Sequence, residues 1–390
     1  MVTNVVQRSS LRICLQQITA LSATLVLFLI LSIPMTSLAA ITGPCVNCHT
    51  MHNSQDGSAM ATYGADGKPW KGTGPLPALT RGTCLGCHGY GGAQKIATIG
   101  GSEIPQVYHT DGLDLAGGNF AYILGAKGSG ASDAKGHNVK DIGDADATLN
   151  APPGLLPESG HNMIITDTNL TCTGYIGCHG TRSGSFPGIA GIKGAHHQNV
   201  DGKCDTADTV ANSYRFLLGV KGLENNGTYK WQNYNADHHN EYFGATTPMI
   251  VSCANSCHLG PSGAAKPPNN TISGFCATCH GRFHDPTEIG GTSSPFKRHP
   301  SDIVLPSDVN KEYKDYTSYS VEAPVGRTIV PDSPSSTVTP GTDVVTCLSC
   351  HAAHATNYPD MLRWDYTTMI AGGGSNTTGC FTCHTQKDNL

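Results

Sequence analysis

Five times in 390 residues the chain repeats two cysteines, two residues apart, with a histidine directly after the second: CVNCH (45–49), CLGCH (84–88), CATCH (276–280), CLSCH (347–351) and CFTCH (380–384). Two longer versions, CTGYIGCH (172–179) and CANSCH (253–258), bring the Cys-His dipeptides to seven, where composition would give on the order of one. This is the attachment signature of a c-type haem, in which each thiol adds to a vinyl group and the adjacent imidazole ligates iron. Numbered along the chain, site 1 is Cys45, Cys48 and His49; site 2 is Cys84, Cys87 and His88; site 3 is Cys172, Cys178 and His179. Site 4 is Cys253, Cys257 and His258; site 5 is Cys276, Cys279 and His280; site 6 is Cys347, Cys350 and His351; site 7 is Cys380, Cys383 and His384.

Two other uses of cysteine compete with this reading. A disulfide framework suits an exported, cysteine-rich chain but predicts nothing about histidine. Zinc takes CxxC pairs but does not require histidine at the next position every time. The seven pairs use all but two of the 16 cysteines. Cys14 precedes the apolar run of a leader expected to be removed, which leaves Cys204 as a free or intermolecular thiol. In sites 3 and 4 the extra residues must loop out, which Gly174 and Gly177 ease in site 3.

The 18 histidines leave eleven beyond the motifs, a surplus of the ligand that iron favours, and the economical expectation is two imidazoles on every iron. The expected distal ligands are His52, His354, His137, His161, His299, His197, His239 and His196. The doublets His196-His197 and His238-His239 are each expected to contribute one ligand, while His109 and His284 are the weaker candidates. Met51 and Met163 are the alternative, potential-raising ligands. His52 and His354 each follow a motif histidine by three residues, which puts both rings on one side of a helical turn. The two ligands of one iron approach from opposite faces. His52 and His354 should therefore reach the iron of a neighbouring site and pull two macrocycles together.

The rest of the chain is thin wrapping. Hydrophobic residues make up 38% and aromatics 7%, below the roughly 45–50% apolar content of ordinary domains. With 47 glycines and 23 prolines the expected fold is irregular and haem-cored, mostly loops and short α-helices with few β-strands. Residues 1–39 read as a signal peptide: basic Arg8 and Arg12, an apolar run from Leu21 to Ile33, and a small-residue cleavage site at Ser37-Leu38-Ala39. The expected organisation continues with a multihaem region at 40–300 (haems 1–5), a haem-poor strand and loop segment at 301–346, and a C-terminal dihaem region at 347–390 (haems 6–7). The formal charge is -5, and leader removal takes two arginines and no acid, so nucleic acid is not an expected partner.

GPCVNCHTMHNS (43–54), RHPSD (298–302), CLSCHAAH (347–354) and GCFTCH (379–384) resemble the multihaem c-type cytochromes with doubled CxxCH motifs of dissimilatory metal-reducing bacteria. The resemblance implies an electron carrier of the periplasm or outer surface of a Gram-negative bacterium, and some members of that group polymerise into filaments. The expected cofactor is haem c, seven copies. Expected partners are other redox proteins and extracellular acceptors such as metal oxides, with a homopolymer as a further possibility. Two alternatives stand beside the carrier: a multihaem reductase of nitrite, hydroxylamine or metal ions with one open iron, and a conductive filament subunit. No CxxCK motif occurs, which weighs against the reductase.

Overall fold

The computed structural model describes residues 43–59, 76–89, 92–143, 146–155, 170–174, 176–180, 192, 217–223, 228–248, 271–285, 298–372 and 377–385. The chain divides into Met1–Ala39 and Ala40–Leu390, and every described residue lies in the second unit. The leader, Cys204 and site 4 lie outside the described residues. Among the described residues no helix is long and apolar enough to cross a membrane.

Regular structure is sparse, as expected from the glycine and proline content. The α-helices are α1 (Cys84–His88), α2 (Ile272–Ala277) and α3 (Gly281–His284), and most other turns are 3-10. Hairpins β1 (Ser54–Gln55) with β2 (Ser58–Ala59) and β3 (Ile96–Ile99) with β4 (Ser102–Pro105) lie early in the chain. β5 (Thr171–Thr173) and β6 (Gly177–His179) pair in parallel within site 3.

One larger sheet has the order β7-β8-β10-β11-β9, built from β7 (Val220–Lys221), β8 (Glu241–Phe243), β9 (Ile303–Val304), β10 (Gly326–Arg327) and β11 (Val344–Val345). The β8–β10 pair is parallel and the others antiparallel. The segment 301–346 thus supplies three strands to a sheet whose other two come from the preceding region. Close approach explains two glycines here: a Cβ at Gly244 would lie 2.1 Å from Val344 Cγ2, and one at Gly326 2.6 Å from Thr346 Cγ2.

Among the described residues the buried apolar side chains form three small clusters. The first holds Leu85, Phe120, Ile123, Ile142 and Ala355; the second Leu305, Tyr316, Tyr319, Val325 and Val338; the third Val220, Tyr242, Ile272 and Leu348. Leu85 and Leu348 are the residues between the cysteines of sites 2 and 6, and Phe381 holds the same position in site 7 and is buried. An apolar residue inside the motif therefore pins the turn into the nearest cluster. Val46 of site 1 is the exception and stays exposed.

The sheet is also cross-linked by buried charge. Glu241 on β8 receives Arg327 Nε at 3.1 Å and the Ser335 N–H at 2.8 Å, and Arg327 also pairs with Asp343. Burial opposes ionisation of Glu241, but the His239 ring, the Arg327 guanidinium and the Ser335 N–H outweigh it and hold the carboxyl below its ordinary range. An acid with a depressed folded pKa stabilises above its ordinary value and loses that contribution as the pH falls through the folded one. Thermal unfolding measured from pH 6 down to pH 3 should therefore show falling stability below the ordinary glutamate range. Glu241→Gln should flatten part of that slope.

Candidate haem-attachment sites

In each regular motif the chain makes one helical turn starting at the first cysteine. The histidine N–H donates to that cysteine's carbonyl in sites 1, 5, 6 and 7, at 2.8, 3.0, 3.1 and 2.9 Å, and site 2 is α1 itself. Residues three and four apart share a side of such a turn, so both thiols and the imidazole face one way. None of the twelve described motif cysteines is in a disulfide. Site 3 reaches the same end differently. Its extra residues loop out between β5 and β6, with Gly174 at φ +93° and its carbonyl accepting the Gly177 N–H at 3.1 Å. A Cβ at Gly177 would lie 2.4 Å from the Thr173 carbonyl carbon.

The imidazoles are anchored through Nδ1. That nitrogen lies 2.8 Å from the Ala78 carbonyl in His49, 2.9 Å from Pro105 in His88, 2.8 Å from Pro153 in His280 and 2.7 Å from Asp360 in His351. His384 turns Nδ1 to Glu312 Oε1 at 2.9 Å. Outside the motifs, His137 and His299 do the same with Ala353 and Pro300, at 2.6 and 3.0 Å. An Nδ1 bond of this kind fixes ring orientation and leaves Nε2 as the metal-facing nitrogen. Five of the seven acceptors are a proline carbonyl or that of the residue after a proline. A proline has no N–H and a fixed φ, which limits ladder pairing around it and leaves carbonyls there available to a side chain.

Burial favours the neutral, ligand-competent form of His88, His137, His280, His299, His351 and His354. Desolvation, helped by neighbouring His137, pushes His280 down to about 4, and desolvation with His179 pushes His354 down to about 3. The thiols of Cys350 and Cys383 are pushed up to about 12 by burial.

Three pairs of imidazoles face one another across different segments. His179 and His354 have ring centroids 6.0 Å apart, His280 and His137 6.1 Å, and His384 and His299 6.3 Å. Metal–imidazole bonds are about 2 Å and a ring centre lies about 1.2 Å behind its nitrogen, so two imidazoles on opposite sides of one metal should show centroids about 6–6.5 Å apart. His354, three residues beyond His351, thus stands opposite the histidine of site 3. Its ring stacks on Phe120 at 4.8 Å, and a Cβ at Gly117 would lie 2.9 Å from its Cε1. His137 belongs to the same junction: its N–H donates to the His354 carbonyl at 3.0 Å, and Gly136 bridges Ala355.

The attachment thiols also form a series. Cys48 and Cys87 are electrostatic neighbours, linking sites 1 and 2. Cys84, Cys172 and Asp141 gather within 4.8 Å, linking sites 2 and 3. Cys276 neighbours both Cys178 and Cys347, linking sites 3, 5 and 6. Cys350 neighbours Cys380 and Cys383, linking sites 6 and 7. The Cys84, Cys172 and Asp141 group has metal-ligand chemistry, but a metal there would take a thiol from each of two attachment motifs.

Other expected residues have different surroundings. His239, an expected distal ligand, is fully buried with Nε2 3.2 Å from Glu241 Oε1 and its ring stacked 3.7 Å from Tyr319. Its Nε2 is thus engaged by a carboxylate, and the ring serves the sheet network. His284 lies 3.0 Å from Asp302 and His109 2.6 Å from Asp111. His52 is exposed in a turn with φ 53°. His161, His196 and His197 lie outside the described residues.

An internal duplication was not read from the sequence, though PALTR (77–81) and PDMLR (359–363) signal it. Ala78 and Leu79 have φ 60° and 54°, Asp360 and Met361 58° and 57°. Thr50 N–H donates to Leu79 and Ala352 N–H to Met361; Arg81 N–H donates to Cys48 and Arg363 N–H to Cys350. Sites 1 and 6 are therefore one module used twice, in which His52 corresponds to His354 and Arg81 to Arg363.

Residues 340–389 match the doubled CXXCH motif family. The chain is similar to the C-type cytochrome OmcS of Geobacter sulfurreducens, 26% identical over 386 residues that span 86% of this chain and 82% of that one. Among solved structures it is similar to the Outer Membrane Cytochrome S Filament from Geobacter sulfurreducens, with 21% identity, 84% of this chain and 85% of that one covered, and a TM-score of 0.41. With the doubled motif at its C-terminal end and that similarity running along most of its length, the chain is similar to multihaem c-type cytochromes.

Proposed function

We propose that this chain, exported after loss of residues 1–39, carries electrons along a row of seven bis-histidine c-type haems in periplasmic or extracellular electron transfer. When bound, c-type haem supplies reversible one-electron exchange between ferric and ferrous iron. The cysteines of sites 1 to 7 would hold it, with His49, His88, His179, His258, His280, His351 and His384 as proximal ligands.

The observation that carries this reading is the set of three imidazole pairs, His179 with His354, His280 with His137 and His384 with His299, each at the separation of two ligands on one metal. Two identical neutral ligands close both faces of an iron, and such a centre exchanges electrons with little change in its ligands. The thiol contacts give the row its order: sites 1, 2, 3, 5, 6 and 7 are neighbours in turn. The carbonyls that accept the Nδ1 protons hold each ring in place, and Leu85, Leu348 and Phe381 keep water from the attachment turns. Distal ligands for the remaining sites are expected from His52, His161, His196 and His197. Partners would be other redox proteins and extracellular acceptors.

Intact mass and a pyridine haemochrome assay should give seven haems per mature chain. Five would remove the stretched sites from the row, and none would sink the proposal. Electron paramagnetic resonance of the oxidised protein should show low-spin ferric haem throughout. A stoichiometric high-spin signal would favour a reductase with one open iron.

A further inference from the structure

All five regular motifs turn the Nδ1 of their histidine to an acceptor, and in one of them that acceptor is a side-chain carboxylate. His49, His88, His280 and His351 meet backbone carbonyls, whereas His384 of site 7 lies 2.9 Å from Glu312 Oε1. Glu312 is buried, at 8% exposure, and opens the 3-10 turn Glu312–Asp315. The contact is built from both sides. The hydroxyl of Thr385, the residue after His384, donates to the Glu312 carbonyl at 2.7 Å, and the Tyr313 ring meets the His384 ring edge-on at 5.1 Å. Across from His384, the His299 ring stands 6.3 Å away with its own Nδ1 3.0 Å from the Pro300 carbonyl. The two imidazoles of this pair therefore differ in what holds them.

A carbonyl accepts the Nδ1 proton and leaves the ring neutral. A carboxylate draws that proton further, raises the basicity of Nε2 and adds a negative charge behind the metal ligand. Both effects favour ferric over ferrous iron, and burial strengthens them because little water screens the charge. Resting on the electron-carrier reading, we propose that Glu312 is a positioning residue for site 7, whose carboxylate orients His384 and lowers the reduction potential of the haem on Cys380 and Cys383. Among the described residues the thiol series ends at site 7, next to site 6, where His351 meets the Asp360 carbonyl instead. Glu312 thus tilts the end of the row, so that an electron at site 7 is driven towards site 6.

The test compares the haem-loaded protein with Glu312→Gln by spectroelectrochemical titration and near-infrared magnetic circular dichroism, with haem content checked by intact mass. Glutamine keeps an acceptor oxygen for Nδ1 and removes the charge. One midpoint should move to higher potential while the others stay, and the ferric charge-transfer band of one low-spin haem should move to longer wavelength as its ligand loses imidazolate character. Midpoints that all stay put at full haem content would overturn the proposal, as would one raised midpoint with an unmoved band, since the charge would then act without the ligand. If Glu312→Gln takes up fewer haems, the wild-type spectrum carries the test: one charge-transfer band should lie at shorter wavelength than the rest, and bands that all coincide would overturn the assignment. A protein with no haem at all would instead condemn the electron-carrier reading.

Discussion

Replacing His354 with alanine should convert one haem, the one on Cys172 and Cys178, from low-spin to high-spin. The haem on Cys347 and Cys350 should keep both its ligands. The reason is geometric. His354 follows His351 by three residues, yet its ring stands 6.0 Å from His179 and is held there by Phe120 and the close backbone of Gly117. Electron paramagnetic resonance should show one new high-spin equivalent, and the reduced variant should take up one equivalent of carbon monoxide. If instead the site 6 haem changed spin state, the cross-site assignment of His354 would be wrong. The effect on electron transfer should be large, because the affected site lies between sites 2 and 5 in the thiol series of the described residues.

Asp302→Ala should be the most destabilising single change outside the attachment motifs. Asp302 is almost fully buried, at 1% exposure, and joins three segments. Its Oδ1 accepts the Ala245 N–H at 3.1 Å; its Oδ2 accepts the Thr271 hydroxyl at 2.8 Å and lies 3.0 Å from His284 Nε2. Thr271 in turn caps α2, the helix that carries Cys276, by accepting the Gly274 N–H at 2.9 Å. Removing the carboxylate strands all these donors in a dry interior, a loss of about 3–5 kcal/mol. Urea unfolding followed by tryptophan fluorescence and Soret absorbance should show it as a lower midpoint. A loss under about 1 kcal/mol would mean the three segments are held together by other contacts.

Asp302 belongs to RHPSD, a stretch quoted from the sequence for its resemblance alone. Its two halves have separate work: His299 faces His384 of site 7, while Asp302 ties α2 to the strand before it. The sequence offered a reason for His299, since a residue before proline is held extended. It offered none for Asp302, because the partners of a buried carboxylate come from segments far apart in the chain. His239 shows the reverse case. As half of a histidine doublet it was an expected ligand; the structure turns its Nε2 to Glu241, two residues on, and a short pattern does not reveal which neighbour a ring will meet.

The attachment chemistry was legible because it is local. Two thiols and an imidazole within five residues need only one helical turn to face the same way, and no distant contact is required to form it. The same local geometry led to the expectation that a histidine three positions on serves another site. Which site it serves was decided elsewhere. His137 and Ala353 meet across 216 positions, and the pairings of His354, His137 and His299 likewise join segments far apart in the chain. Nothing in a short pattern ranks such closures against one another. Spacing along the chain marked where thiols and imidazole are brought together for attachment; the folding of distant segments onto each other decided which imidazoles meet and in what order the sites lie, since both are properties of contacts and not of neighbours in sequence.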